Sequence, residues 1–169
     1  MRKQKGFSLI ELLIVVAIIL IIAAIAIPNL LKARIAANQA SAVGSLRTIV
    51  TGSTSYQTTF GNFAKILADL GGAPPCTAAP TSTASCLIDN VLAKASTAAT
   101  AKSGYYFEYA GTGTADAAGL FPAFTVEAIP SVLNTTGDLN YCTTNAGGML
   151  SIAGGAKGTC TTTTGKPLQ

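Results

Sequence analysis

Hydrophobic residues are concentrated in one uninterrupted stretch near the N-terminus of the chain. Every residue from Leu12 to Ile27 is Leu, Ile, Val or Ala. If the span from Phe7 to Ile27 is helical, its length of about 30 Å matches the hydrocarbon core of a bilayer. We therefore predict a membrane-spanning helix in this part of the sequence.

Polar residues return after Pro28, where they are interspersed with apolar ones in the period of a helix. One set of positions recurs at helical spacings and predicts a buried stripe. The stripe consists of Ile35, Ala42, Leu46, Ile49, Ser53, Tyr56 and Phe60, and we assign Arg34, Asn38, Ser41, Ser45, Thr48 and Gln57 to the opposite face. The same helix is thus expected to continue to about residue 60 as an amphipathic segment.

The pattern changes to that of β-strands after Lys102. Four segments alternate in polarity or are rich in aromatic residues, and turns containing Gly, Asn and Pro separate them. These segments are 104–109, 123–129, 139–144 and 149–152. The fold class we expect is α+β, with the long helix packed on an antiparallel sheet of about four strands.

Charge and composition exclude several functional classes. Of the 169 residues only 11% are charged, and none is His, so hydrolases that need His and His-ligated metals are excluded. We expect neither an enzyme nor a cofactor. Arg2, Lys3 and Lys5 lie in the first five positions, and the remaining eight basic residues face seven acidic ones. Nucleic-acid binding is therefore not predicted.

Two simple interpretations of the N-terminal stretch leave one residue unexplained. A cleaved secretory signal would account for the basic start and for Ala24-Ile25-Ala26, which resembles a cleavage site. A plain membrane anchor, oriented by the basic residues, is the second interpretation. Neither explains Glu11, because a carboxylate among apolar residues costs about a few kcal/mol unless it is paired or reaches the headgroups.

A third interpretation accounts for this carboxylate. A short basic leader ends in Gly6 and is followed by Phe7, Glu11, the apolar stretch and Pro28. This arrangement resembles the N-terminal segment of type IV prepilins and of the related pseudopilins of type II secretion. The resemblance implies that a prepilin peptidase cuts after Gly6 and methylates the new N-terminus at Phe7. It also implies that Glu11 neutralises the Phe7 amine of a neighbouring subunit, and Pro28 predicts a kink or local melting of the helix.

The resemblance implies an organisation for the whole chain, the pilin fold. Residues 1–6 would be a cleaved leader, and 7–28 the helix of the membrane and of the filament core. Residues 29–60 would continue that helix. A loop with short helices at 61–103 would precede a head at 104–169, formed by the sheet and a disulfide-tied C-terminal region.

The same resemblance implies partners and a location. The precursor would lie in the bacterial inner membrane with its N-terminus in the cytoplasm. It would meet the prepilin peptidase and the pilus assembly machinery there, and then polymerise with itself into an extracellular helical filament. Two alternatives remain open, namely a pseudopilin of a type II secretion system and a monomeric, membrane-anchored adhesin.

Four cysteines, Cys76, Cys86, Cys142 and Cys160, are expected to form disulfides. Their spacing contains no CxxC and the chain has no His, so a metal site is not predicted. Three connectivities are possible, of which we prefer the local pairs Cys76–Cys86 and Cys142–Cys160; the resemblance to pilins implies the second pair. Each would stabilise the head by about 2–4 kcal/mol.

Two carboxylates fall on neighbouring predicted strands. Glu108 and Glu127 could form a paired-carboxylate site, but both are expected to face solvent, as polar residues of alternating strands usually do.

Overall fold

The computed structural model describes residues 7–146, 148–153, 158 and 166–168. Contacts between residues divide the chain into two compact units, Met1–Arg34 and Ile35–Gln169. One long helix, α1 (Leu9–Phe60), belongs to both units.

The first unit contains the apolar half of α1. The helix continues through Pro28 without interruption. Its large aliphatic side chains between Leu9 and Leu31 are all 45% exposed or more. The described part of the chain therefore leaves this apolar surface uncovered.

The second unit covers one side of α1. Seven of its helical residues are buried, and they are Ala42, Ser45, Leu46, Ile49, Gly52, Ser53 and Tyr56. The predicted stripe is thus confirmed over most of its length, but the assignment of Ser45 to the opposite face is wrong. The buried stripe is wider than predicted, because Gly52 has no side chain and lets Ile88 approach. A Cβ at this glycine would lie 2.9 Å from Cγ2 of Ile88.

The exposed side of this half of α1 carries several threonines. Their hydroxyl groups donate hydrogen bonds to helix carbonyls three or four residues earlier. The threonines are Thr48, Thr51, Thr54, Thr58 and Thr59, with donor–acceptor distances from 2.8 to 3.1 Å. The donors of these hydroxyls are therefore satisfied within the helix itself.

The sheet is antiparallel and its strands follow one another in chain order. It comprises β1 (Tyr105–Thr112), β2 (Ala123–Pro130), β3 (Leu139–Thr144), β4 (Leu150–Ala153) and β5 (Lys166–Pro167). The first four confirm the predicted strands. The fifth was not predicted, because two residues that include a proline carry no alternating pattern. It pairs with Leu150 and Ser151 of β4.

One face of the sheet forms the core with α1. Tyr105, Phe107 and Tyr109 alternate along β1 and are buried, as are Phe124 and Val126 of β2. They belong to the same buried cluster as the helix residues. The ring of Tyr109 is stacked on that of Phe124, with centroids 5.2 Å apart. The α+β fold, a long helix against an antiparallel sheet, is therefore confirmed.

The segment between α1 and β1 is mostly irregular. It contains α2 (Asn90–Lys94) and two short 3₁₀ helices, Leu67–Leu70 and Ala98–Thr100. Asp89 caps α2, since its carboxylate accepts a 2.9 Å hydrogen bond from the Leu92 amide. Leu70 and Leu92 are fully buried, and they attach this segment to the core of the second unit.

Candidate functional site

The exposed apolar half of α1 is the most unusual surface of the described structure. No residue from Leu12 to Leu31 is charged. By its length and composition, α1 is long enough and apolar enough to cross a membrane. Burying a Leu, Ile or Val side chain fully is worth about 1.5–3 kcal/mol. A helix that exposes so many of them is stable only inside a lipid bilayer or against other apolar surfaces.

Glu11 lies in the first turn of α1, at the edge of the apolar surface. It is exposed, and the salt bridge found among the described residues, Lys102–Asp89, does not involve it. A carboxylate in the first helical turn gains about 0.3–1 kcal/mol from the helix dipole. This gain is small compared with the cost of placing an unpaired carboxylate in an apolar medium. Because Glu11 is exposed, a cation from another molecule can reach its carboxylate.

Phe7 precedes α1 and its side chain is 73% exposed. It lies four residues before Glu11, about one helical turn. Gly6 and the basic leader lie outside the described residues, so cleavage after Gly6 and methylation of Phe7 remain predictions from the sequence.

Pro28 lies inside α1. Because proline has no amide hydrogen, the carbonyl of Ala24 lacks its usual helical donor there. The kink predicted at this position stays a prediction, although the helix is continuous through it.

The disulfide between Cys76 and Cys86 is present, with Cα atoms 6.1 Å apart. It closes the irregular loop before α2. The Cys86 amide donates a 2.9 Å hydrogen bond to the Gly71 carbonyl, which fixes this loop to the 3₁₀ helix before it. Cys142 lies in β3 and is disulfide-bonded. Cys160 lies outside the described residues, so its pairing with Cys142 stays a prediction.

Glu108 and Glu127 face each other across β1 and β2, as the register of the two strands requires. The expectation that both face solvent is wrong for Glu127, which is only 8% exposed. One of its carboxylate oxygens accepts a 2.9 Å hydrogen bond from the Asn140 amide, and the other a 2.8 Å bond from the Gly158 amide. These two partners are remote in sequence, and no local pattern could reveal them.

A cleft of about 830 Å³ lies beside these carboxylates. Its lining includes Thr125, Thr144 and Leu150 together with Glu108 and Glu127. In the part of the chain that the structure describes, no group of three or more His, Cys, Asp and Glu residues could hold a metal ion. We assign no chemistry to this cleft.

The ionisable groups of the head serve its structure. Burial raises the pKa of the Tyr109 hydroxyl to about 12, and burial followed by the nearby Tyr141 raises that of Tyr105. The amide of Asn62 donates a 2.8 Å hydrogen bond to Asp116 and, with the backbone amide of Leu120, lowers the pKa of that exposed carboxyl. None of these groups lies on α1, where the candidate site is.

The turn between β2 and β3, residues 131–138, is a contact of α1 that the sequence did not reveal. The Asn38 amide group donates a 2.9 Å hydrogen bond to the carbonyl of Thr136, and the Gln39 amide group donates one to Asp138. Asn38 was assigned to the solvent side of the helix. Its partner lies 98 residues away in sequence, beyond the reach of a local pattern.

Comparisons with known proteins match part of the chain. Residues 1–27 match the family model described as the prokaryotic N-terminal methylation motif. The chain is 54% identical over 57 residues to the type IV wide pilus major component PilA4 of Thermus thermophilus, which is 34% of this chain and 44% of that protein. It is 40% identical over 72 residues to the type IV major pilin protein PilA of Myxococcus xanthus, which is 43% of this chain and 33% of that protein.

These matches confirm the resemblance to type IV pilins. The matched motif includes Gly6, Phe7 and Glu11, the residues on which the resemblance rests. The chain spans less than half the length of both of these curated relatives. No solved structure matches it.

Proposed function

We propose that this chain is the structural subunit of a type IV pilus and polymerises through the apolar half of α1. The observation that carries the proposal is the exposed, uncharged surface from Leu12 to Leu31, which begins directly after Glu11. A soluble enzyme or a soluble binding module has no use for such a surface. A filament uses it twice, first as a membrane anchor and then as the core of the assembly.

The precursor is held in the inner membrane before assembly. The three basic residues of the leader favour an N-terminus on the cytoplasmic side. The prepilin peptidase then cuts after Gly6 and methylates Phe7. Glycine suits this cut, because a residue without a Cβ lets an extended backbone enter a narrow active site.

Assembly moves α1 from lipid into the filament. Because both surroundings are apolar, the transfer itself costs little, and packing and polar contacts between helices decide whether a subunit docks. Cleavage creates a cation at Phe7, and Glu11 of a neighbouring subunit offers it a carboxylate. Such a pair is worth far more in a low-dielectric core than in water.

The decisive experiment is to shear cells that express the chain and to look for it in the filament fraction. A type IV pilus subunit is expected to be abundant there, with a mature N-terminus at methylated Phe7. A pseudopilin of type II secretion would remain in the membrane fraction while secretion depends on it. An anchored adhesin would remain in the membrane as a monomer. An N-terminus at Ile27 would instead support a cleaved secretory signal.

Processing is tested separately at the cleavage site. A Gly6→Leu variant is expected to insert into the membrane, to retain its full leader and to form no filaments. Mass spectrometry should then show a chain that begins at Met1. A mature terminus at Phe7 in this variant would contradict processing by a prepilin peptidase.

A further inference from the structure

The β2–β3 turn, residues 131–138, carries two adjacent exposed aliphatic side chains. Val132 is 54% exposed and Leu133 is 42% exposed. No residue from Ser131 to Gly137 is charged. Single exposed aliphatic residues are common on protein surfaces and mean little by themselves. What distinguishes this pair is how firmly the turn that presents it is built.

The turn is closed by its own hydrogen bonds. The hydroxyl of Thr136 donates to the Val132 carbonyl at 3.0 Å and accepts from the Val132 amide at 3.1 Å. The amide of Asn134 donates to the Gly137 carbonyl at 2.8 Å. These bonds hold the backbone around Val132 and Leu133 in one conformation.

The turn also lies tightly against the sheet. The amide of Ser131 donates a 2.9 Å hydrogen bond to the carbonyl of Gly104, the residue just before β1. A Cβ at Gly137 would lie 1.9 Å from the hydroxyl oxygen of Tyr105. That hydroxyl is itself fixed, since it donates a 2.9 Å hydrogen bond to the Leu139 carbonyl. The turn therefore has little room to fold its aliphatic side chains inward.

The turn is finally fixed to α1 through Asn38 and Gln39, as described above. These residues follow Leu31, the last exposed aliphatic residue of the apolar half of α1, by about two helical turns of sequence. A turn that only connects two strands does not need these hydrogen bonds. Their effect is to present the aliphatic pair on a backbone that is already ordered, which reduces the entropy lost when another molecule binds it.

We infer that Val132 and Leu133 dock on the apolar half of α1 of a second copy of this chain. The inference rests on the proposed function, because a filament brings such copies together. The described chain contains one large apolar surface without cover, from Leu9 to Leu31, and an uncharged aliphatic pair is a chemically matched cover for it. The contact would make the head contribute directly to subunit docking.

The first test removes the aliphatic pair. A chain with Val132→Ser and Leu133→Ser is compared with a Val91→Ser control, which removes an aliphatic side chain that is 64% exposed on α2. We expect the amount of sheared filament to fall about ten-fold or more in the double variant. A ten-fold fall corresponds to the loss of about 1.4 kcal/mol of binding free energy. The control should keep normal filaments, and the mature membrane pool of both should be normal.

The second test locates the contact. Leu133→Cys is combined in one chain with a cysteine at Leu20, Ile25 or Leu30, one position at a time. We expect at least one combination to give disulfide-linked dimers in the filament fraction on a non-reducing gel. Val91→Cys combined with the same positions should give none, and chains without the added cysteines supply the background.

The outcomes separate this inference from the proposed function. If the unmodified chain is absent from sheared filaments, the proposed function fails. If its filaments form and the double serine variant assembles normally, or Leu133→Cys links to none of the three positions, the docking contact is overturned. Normal filaments together with a reduced membrane pool of the double variant would assign the aliphatic pair to the membrane surface, and this too would overturn the contact.

Discussion

The two halves of α1 have different surroundings although they belong to one continuous helix. Between Ala42 and Tyr56 the chain covers its own helix with the sheet, and the buried stripe includes residues that are fully excluded from solvent. Between Leu9 and Leu31 the described chain covers nothing. The more apolar half is thus the one without a partner in its own chain. The comparison shows that the second half is stabilised by packing within its own chain, whereas the first half gains no such packing from the described residues.

The largest expected effect concerns Glu11. Changing it to Ala should leave membrane insertion, cleavage and the stability of the head unchanged, and should abolish filaments. The physical reason is that an incoming Phe7 amine loses its partner in a low-dielectric core. The measurement is the amount of filament in the sheared fraction, set against the mature membrane pool.

Two further variants make this test specific. Glu11→Gln keeps the shape and removes the charge, so it should fail like Glu11→Ala. Ser8→Ala changes a polar residue just before the same helix and should assemble normally. Normal filament yield in Glu11→Ala would refute the charge pair.

A matched pair of truncations tests the difference between the two halves directly. Leu46 is fully buried, and Leu46→Ala should lower the free energy of unfolding of the second unit by about 2–5 kcal/mol. Leu13 is 60% exposed, and Leu13→Ala should leave that free energy unchanged. Urea unfolding of the full chain in detergent, followed by the near-UV signal of the head tyrosines, measures both. Equal losses would mean that the apolar half takes part in folding of the head.

The disulfide should act on the second unit, Ile35–Gln169, alone. Its cysteines are separated by 10 positions, and closing a loop of that size is worth about 2–3 kcal/mol. Replacing both Cys76 and Cys86 by Ser should therefore lower the urea midpoint of the second unit. Carbonate extraction should still leave the variant in the membrane fraction. An unchanged midpoint would show that the disulfide contributes nothing to stability.

The smallest expected effect is a pH dependence at Asp116. Its folded pKa lies below the ordinary value, so it contributes stability that is present above about pH 4 and is lost as pH falls through the folded pKa. Asp116→Asn should thus be slightly less stable than the unmodified chain at neutral pH, and the difference should vanish in acid. Unfolding curves at several pH values measure it. A difference that grows in acid would contradict the assignment.

Periodic features of the sequence were sufficient to predict much of the molecule. The stripe from Ala42 to Tyr56, four strands and the Cys76–Cys86 bridge all rest on local patterns, and the structure contains them. The apolar stretch and Glu11 could also be recognised from the sequence, because an uninterrupted apolar run with one carboxylate at its edge is an unusual pattern.

The features that were missed depend on contacts between distant residues. Ser45 and Glu127 are polar and were assigned to solvent, yet the packing of other segments buries them. Asn38 and Gln39 bind a turn about 100 residues away, and nothing in their own neighbourhood indicates this. The sequence gives the chemical type of a polar residue, but its burial and its hydrogen-bond partners depend on which distant segments pack around it.

The threonines on the exposed side of α1 have a consequence for hydration. Because the hydroxyl protons of Thr48, Thr51 and Thr54 are donated to helix carbonyls, these groups need no water molecule as an acceptor. Removing water from a polar group is costly mainly when its hydrogen bonds are left unmade. These three hydroxyl groups therefore add little to the cost of removing water when this side of the helix is brought against another surface.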